Sequence, residues 1–260
     1  NHKVVISLAP ANVKKEGNVF DLPMALAYLL AAEEIACDPK KIIFMGELAL
    51  DGTLRSVRGA LSAALAARED GFSALILPEE NAAEAALVAG IEVFGASSLT
   101  DVIAHMTESK KITKTPHKKP KSASASRTSV DLKDIRGQET AKRALEIAAA
   151  GRHNVAFLGP PGTGKTMLAR ALSGILPPLS FDEAIEVTAI HSVAGVLKEN
   201  IISTPPVRAP HHTSSYVALV GGGNTLRPGE VTLAHHGVLF MDEFPEFDRR
   251  ALEALREPLE

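Results

Sequence analysis

The first hundred residues switch repeatedly between strand and helix periodicity. Lys3–Ala9 predicts a strand. Asp21 predicts the cap of a helix over Leu22–Glu34, with Pro23 tolerated in its first turn. Ile42–Leu50 and Thr53–Val57 predict two strands around Asp51-Gly52, a hairpin signal. Leu61–Arg68 predicts a helix, and Ala74–Leu77 a short buried strand with a helix from Asn81 after it. Ile91–Phe94 predicts a further strand and Ser98–Met106 a last helix. This alternation predicts a small α+β or α/β unit over residues 1–106. It carries no glycine-rich turn followed by an acid pair, and no Ser/His/Asp set at a telling spacing.

The pattern then breaks over residues 107–130. From Lys110 to Arg127 there are seven Lys/Arg, no acids, two prolines and a Ser-Ala-Ser-Ala-Ser run. Such a stretch has little to bury, which predicts a flexible linker. Two readings stand: a solvated tether, or a basic arm that touches nucleic-acid phosphates.

Periodicity returns at Asp131 and holds to Glu260. Gln138–Ala149 and Phe181–Val187 predict helices. Between them Asn154–Leu158 predicts a buried strand, and Met167–Leu172 predicts a helix with an apolar stripe. The residues joining that strand to that helix are Gly159-Pro160-Pro161-Gly162-Thr163-Gly164-Lys165-Thr166. They fit G-x-x-x-x-G-K-[ST] in the strand-to-helix context that a phosphate loop requires. Glycines let the backbone wrap a phosphate, and successive N–H groups with the helix N-terminus offer it positive potential. Gly159 through Met167 therefore predict the binding segment for ATP, with Lys165 on the β- and γ-phosphates and Thr166 on Mg²⁺.

A second candidate lies downstream. Gly237–Met241 reads as an apolar strand ending in Asp242-Glu243. Strand C-terminal ends form the ligand crevice of α/β sheets. Asp242 is the candidate Mg²⁺ partner beside Thr166, and Glu243 the candidate base that orients and deprotonates the attacking water. The competing reading is a helix N-cap, since a helix reads from Asp248 onward. Between the two motifs, residues 196–236 form a long insert rich in Gly, Pro and His. The adjacent pairs His211-His212 and His235-His236 do not predict a metal site, because neighbours on a strand point apart.

Composition alters this picture little. The 260 residues are 45% hydrophobic and 23% charged, with a net charge of −3, so the whole chain makes no electrostatic case for nucleic acid. Cys37 is the only cysteine, which excludes an internal disulfide framework and suits a reducing, cytoplasmic setting. No apolar run is long enough to span a membrane. Both ends read as cut: the chain opens Asn1-His2-Lys3 without a Met and stops inside a helical pattern.

Asp134-Ile135-Arg136-Gly137-Gln138-Glu139 leading to the phosphate loop resembles AAA+ ATPases of the magnesium chelatase clade. Arg208-Ala209-Pro210-His211-His212, Gly221-Gly222-Gly223, Arg227-Pro228-Gly229-Glu230, Leu233-Ala234-His235 and Phe244-Pro245-Glu246-Phe247 resemble that clade's insert and acidic motif. Leu8-Ala9-Pro10-Ala11, Lys15-Glu16-Gly17, Phe20-Asp21-Leu22-Pro23, and Gly46-Glu47-Leu48 through Val57-Arg58-Gly59 resemble the Lon-protease-like domain of the YifB/ComM proteins.

The resemblance implies a P-loop AAA+ core of α/β class, with a parallel sheet and flanking helices. A smaller α+β domain of Lon-like, ribosomal-S5-like type would precede it. It implies a homo-hexameric ATPase in the full-length protein. It also implies action on single-stranded or branched DNA, as in competence proteins that drive branch migration. Alternatives are a nucleotide-switched binding protein and a magnesium chelatase ATPase subunit. Aligned with Lon proteases, Val19 falls near the nucleophile position and Leu61 at the lysine position, which predicts a non-proteolytic domain. The resemblance places the arginine finger, sensors and lid after the acidic motif, so the chain alone is expected to hydrolyse ATP very slowly.

Overall fold

The computed structural model describes residues 4–8, 18–117, 130–222 and 227–256. The chain divides into two units, Asn1–Lys119 and Pro120–Glu260.

The first unit is built on a three-stranded parallel sheet. Its strands are β1 (Ile42–Phe44), β4 (Ala74–Pro78) and β5 (Glu92–Ala96), in the order β1-β4-β5. All five residues of the central β4 are buried, which is why its sequence is apolar without alternation. Between β1 and β4 come the hairpin β2 (Glu47–Leu48) and β3 (Leu54–Arg55), then helix α2 (Ala60–Glu69). Helix α3 (Glu79–Ala85) links β4 to β5. In α2, Ala60, Leu61, Ala64 and Ala67 are buried, a helical stripe of small residues that admits close packing. Helix α1 (Asp21–Ala31) contributes Leu22 and Leu26 to the core around Ile76, Ala96 and Val102. Helix α4 (Leu99–Met106) follows β5, its start capped by the Ser98 hydroxyl, which accepts from Asp101 N at 3.2 Å. From α3, Asn81 exchanges two 2.9 Å bonds with the backbone of Val57, and Glu84 accepts from Leu61 N at 3.1 Å.

Four expectations change here. Val4–Leu8 is exposed and belongs to no strand; the remaining two residues of that predicted strand lie outside the described residues. The predicted strand Ile42–Leu50 is two, interrupted where Gly46 donates to Val19 O and accepts from Leu22 N. Asp21 does not cap α1; it is that helix's first residue, and its carboxylate accepts from Leu48 N at 3.3 Å.

Last, residues 107–117 are not a free tether. Thr115 N donates to Val93 O at 2.8 Å, Lys114 bridges Phe94, and Ile112 packs against the core. His117 Nδ1 sits 2.8 Å from Ala86 O. The edge strand β5 offers backbone groups that a passing segment can satisfy, and charge counting does not reveal that. The remaining residues of the predicted linker, 118–129, lie outside the described residues, as do Lys15-Glu16-Gly17 and Gly223.

The second unit carries the phosphate loop. Helix α5 (Glu139–Gly151) packs on α6 (Lys165–Leu172) through Leu145, Leu168 and Ala171, with Ile135 beside them and Phe157 partly buried against the cluster. Helix α7 (Phe181–Ala194) is opened by a capping box: Ser180 Oγ accepts from Glu183 N, and Glu183 accepts from Ser180 N.

The insert is folded. It comprises β6 (Val207–Arg208), α8 (Tyr216–Val220), the pair β7 (Gly221–Gly222) and β8 (Arg227–Pro228), and α9 (Glu230–Leu233). Arg208 forms a two-pronged ion pair with Glu230, and His191 of α7 reaches Leu233 O at 3.0 Å. Strand β9 (Val238–Leu239) then runs parallel to β6, with Val238 N on Pro206 O and Phe240 N on Arg208 O, each at 2.8 Å. Helix α10 (Arg249–Ala254) closes the described part, packing Ala251 with Leu219 and Phe247. At Gly237 a Cβ would run into the Pro206 carbonyl.

The stretch Asn154–Leu158 departs from expectation: it is not a buried strand. Among the described residues it pairs with no strand, and Leu158 is 97% exposed. A strand exists only through a neighbour's hydrogen bonds, and an apolar run cannot disclose whether one is present.

Candidate nucleotide site

The loop between Asn154–Leu158 and α6 is shaped by two left-handed glycines, Gly162 at φ 81° and Gly164 at φ 84°. Apart from their chain neighbours, no heavy atom lies within 4 Å of where a Cβ would stand on either one, so it is the positive φ and not crowding that calls for glycine there. Gly164 ends the loop and α6 starts at Lys165. Leu168 and Ala171 turn inward to the α5 contact, which leaves the first turn of α6 facing outward. Lys165 and Thr166 are half-buried there, and Met167 is exposed.

Lys165 Nζ folds back on the loop, 2.8 Å from Gly159 O and 2.9 Å from Pro160 O. Thr163 Oγ1 donates to Pro160 O at 2.9 Å, and Gln138 Nε2 donates to Thr163 O at 3.4 Å. The ammonium thus rests on neutral carbonyls rather than on an acid. A phosphate oxygen, being charged, forms the stronger bond and can displace them.

The acid pair joins this loop. Thr166 Oγ1 donates to Asp242 Oδ2 at 3.1 Å, and Asp242 Oδ1 accepts from Glu243 N at 3.0 Å. An octahedral Mg²⁺ with bonds of 2.0–2.1 Å spaces neighbouring oxygens by about 2.9 Å, so a hydroxyl and a carboxylate held this close suit that ion. Neither acid caps a helix with its side chain. The cap of α10 is Asp248, whose Oδ1 accepts from Arg250 N at 2.8 Å.

Glu243 sits in left-handed backbone, φ 54° and ψ 45°, a conformation that costs a non-glycine residue energy and is concentrated at functional sites. Its Oε2 lies 3.1 Å from His212 Nδ1, and the His212 ring stacks on His211 with centroids 4.1 Å apart. Sequence reasoning passed over this partner. The available signal was that Arg208-Ala209-Pro210-His211-His212 leaves a strand parallel to the acid-bearing one, so both segments end on the same side.

Two further clusters went unforeseen. Arg152 reaches Glu183 at 2.6 Å, and with the Ser180 backbone bond and this guanidinium the Glu183 carboxyl is pulled down to about 2. Glu186 of α7 meets both His235 and His236.

Residues 131–260 match the family described as magnesium chelatase, subunit ChlI, and residues 1–81 match a second model, subunit ChlI of Mg-chelatase. The chain belongs to the magnesium chelatase ChlI family. The family match over 131–260 takes in the phosphate loop, the insert, the acid pair and His212.

Within this family the chain is 47% identical over 262 residues to competence protein ComM of Haemophilus influenzae, covering 99% of this chain and 51% of that protein. It is 48% identical over 260 residues to YifB of Salmonella typhimurium, with coverages of 99% and 51%. The chain therefore spans about half the length of these relatives. It is also 33% identical over 123 residues to Lon protease 2 of Bacillus subtilis, 44% of this chain and 22% of that protease. Val19 is half-buried and Leu61 fully buried. Neither side chain has a group that titrates or attacks. Among the described residues no helix is long and apolar enough to cross a membrane.

Proposed function

We propose that the second unit is the nucleotide-binding core of an AAA+ ATPase that, in the full-length protein, works on DNA. The observation that carries the ATPase reading is the Thr166–Asp242 contact, which joins the phosphate loop to the end of the acid-bearing strand. Gly159–Thr166 would hold the phosphates of ATP through backbone N–H groups and Lys165, with Met167 continuing the segment. Thr166 and Asp242 would hold Mg²⁺, which when bound neutralises charge on the β- and γ-phosphate oxygens. Glu243 would accept a proton from the attacking water, its carboxylate aimed by the His212 contact.

The DNA reading rests on less. One relative carries the name competence protein, and the resemblance to the YifB/ComM proteins implies branch migration by a homo-hexamer. The basic stretch Lys110–Arg127 adds sequence-independent attraction to phosphates. The first unit, with Val19 and Leu61 where a protease needs a nucleophile and a base, would serve as a non-proteolytic interaction module.

The test is the ATPase rate of the full-length protein with and without single-stranded or branched DNA. Stimulation several-fold or more, lost in Glu243→Gln, supports the motor. ATP turnover indifferent to DNA favours a nucleotide-set assembly switch instead. The absence of any ATP binding overturns the whole reading.

A further inference from the structure

His235 and His236 are adjacent in sequence, yet both rings face one carboxylate. Helix α9 ends at Leu233 and β9 begins at Val238, so the pair lies on neither element. His236 takes left-handed backbone, φ 54°, which brings its ring beside that of His235 with centroids 4.0 Å apart. Glu186 Oε2 lies 2.8 Å from His236 Nε2 and 3.2 Å from His235 Nε2, and the three candidate ligand atoms all fall within 4.8 Å of one another.

We propose that Glu186, His235 and His236 form a binding site for a divalent transition-metal ion of the Zn²⁺ class. The donor set is two imidazoles and one carboxylate, which suits Zn²⁺ and leaves a position open for water. A tetrahedral ion with bonds near 2.0–2.1 Å separates its ligand atoms by about 3.3 Å. The Glu186 oxygen already stands 2.8 and 3.2 Å from the two nitrogens, so those two separations need to open by only a few tenths of an ångström, while the nitrogens, within 4.8 Å of each other, adjust by rotation of the rings.

A second observation supports the site. Glu183, one helical turn before Glu186, places Oε1 3.7 Å from His236 Nδ1, just beyond hydrogen-bond distance and within reach of a small rotation of the ring. A metal-binding histidine characteristically presents its other ring nitrogen to a carboxylate, which fixes the tautomer that leaves Nε2 for the ion. Glu183 is itself held by Arg152 and the Ser180 backbone. The loop bearing the histidines is pinned to the same helix by His191 on Leu233 O. Without the ion the carboxylate bridges the two rings by hydrogen bonds; with it, each neutral ring carries its one proton on Nδ1 and the ion takes the place of the proton on Nε2. The metal would clasp α7 to the segment leading into β9.

Titration of the 260-residue chain with Zn²⁺ alone, followed calorimetrically, tests this. The expected result is one saturable equivalent per chain, weakened about tenfold or more in His235→Ala, His236→Ala and Glu186→Gln, unchanged in His153→Ala, and weaker as pH falls. Glu183→Gln is expected to weaken binding by roughly tenfold, as loss of an outer partner does. Glu186→Gln keeps side-chain size and a hydrogen-bond acceptor, so it remains informative if a histidine variant fails to fold. Co²⁺ in place of Zn²⁺ gives an independent reading: visible d–d bands of a four-coordinate ion in the parent chain, absent in Glu186→Gln. No saturable Zn²⁺ uptake, or uptake that these ligand substitutions leave unchanged, overturns the proposal.

Discussion

The hydroxyl of Thr166 donates to the carboxylate of Asp242 across 76 positions of sequence. Their two oxygens stand at the spacing a small hard cation prefers. Asp242→Asn is therefore expected to remove the Mg²⁺-dependent part of ATP affinity while leaving the Mg²⁺-free part. Calorimetry of ATP binding with Mg²⁺ and with EDTA checks this; equal losses in both conditions would mean the carboxylate acts on the fold instead.

Lys165 rests on the carbonyls of Gly159 and Pro160, so its removal costs little in the free chain and more in the bound one. Lys165→Ala is expected to weaken ATP binding by at least about tenfold, about 1.4 kcal/mol. Unchanged affinity would remove the phosphate-loop assignment.

Glu243→Gln in the full-length protein is expected to keep ATP and Mg²⁺ binding and to lose turnover on the order of 10²-fold. Gln accepts hydrogen bonds but cannot take the proton at neutral pH. Near-normal turnover would put the base on another residue.

The Glu183 carboxyl is pulled down to about 2, first by the Ser180 backbone bond and then by Arg152. A carboxyl lowered on folding adds stability that is present above its unfolded value of about 4.3 and fades as pH falls towards its folded value. Thermal melts of the chain between pH 5 and pH 2 should therefore decline less steeply in Glu183→Gln than in the parent, which starts higher. Parallel curves would show that the box contributes nothing to acid sensitivity.

Asn81 holds both backbone groups of Val57 and is itself buried. Asn81→Ala leaves that N–H and C=O without their partner and is expected to cost the first unit about 1–3 kcal/mol. Urea denaturation with an unchanged slope and a lower midpoint is the readout; an unmoved midpoint would mean water replaces the side chain at no cost.

Helices such as α2 and α4, and the central strand β4, were legible in sequence because their signals are local: an alanine stripe, a Ser98 cap, an unbroken apolar run bounded by Ser73 and Pro78. Asn154–Leu158 and Val4–Leu8 have the same apolar signal, but strand identity depends on a neighbour that sequence spacing does not specify. The docking of Lys114 and Thr115 on β5 was hidden for the related reason that an edge strand binds backbone, not side-chain pattern. The phosphate loop and acid pair were readable as motifs, each with a spacing that chemistry imposes. Their companions His212, Glu186 and His235 were not: the histidines stood out only as adjacent pairs, and no residue type announces the left-handed backbone at Glu243 and His236 or the side chains that meet there.

Gly237 gives the acid pair a mechanical datum. Because a Cβ there would meet the Pro206 carbonyl, only glycine at this position lets β9 seat against β6 in the observed register. Asp242 and Glu243 follow β9 within four residues of its last one, Leu239, so the seating of β9 on β6 sets where the Thr166–Asp242 contact can form. The place of the acid pair beside the loop thus depends on an absent side chain five residues before Asp242, the notch that admits the strand.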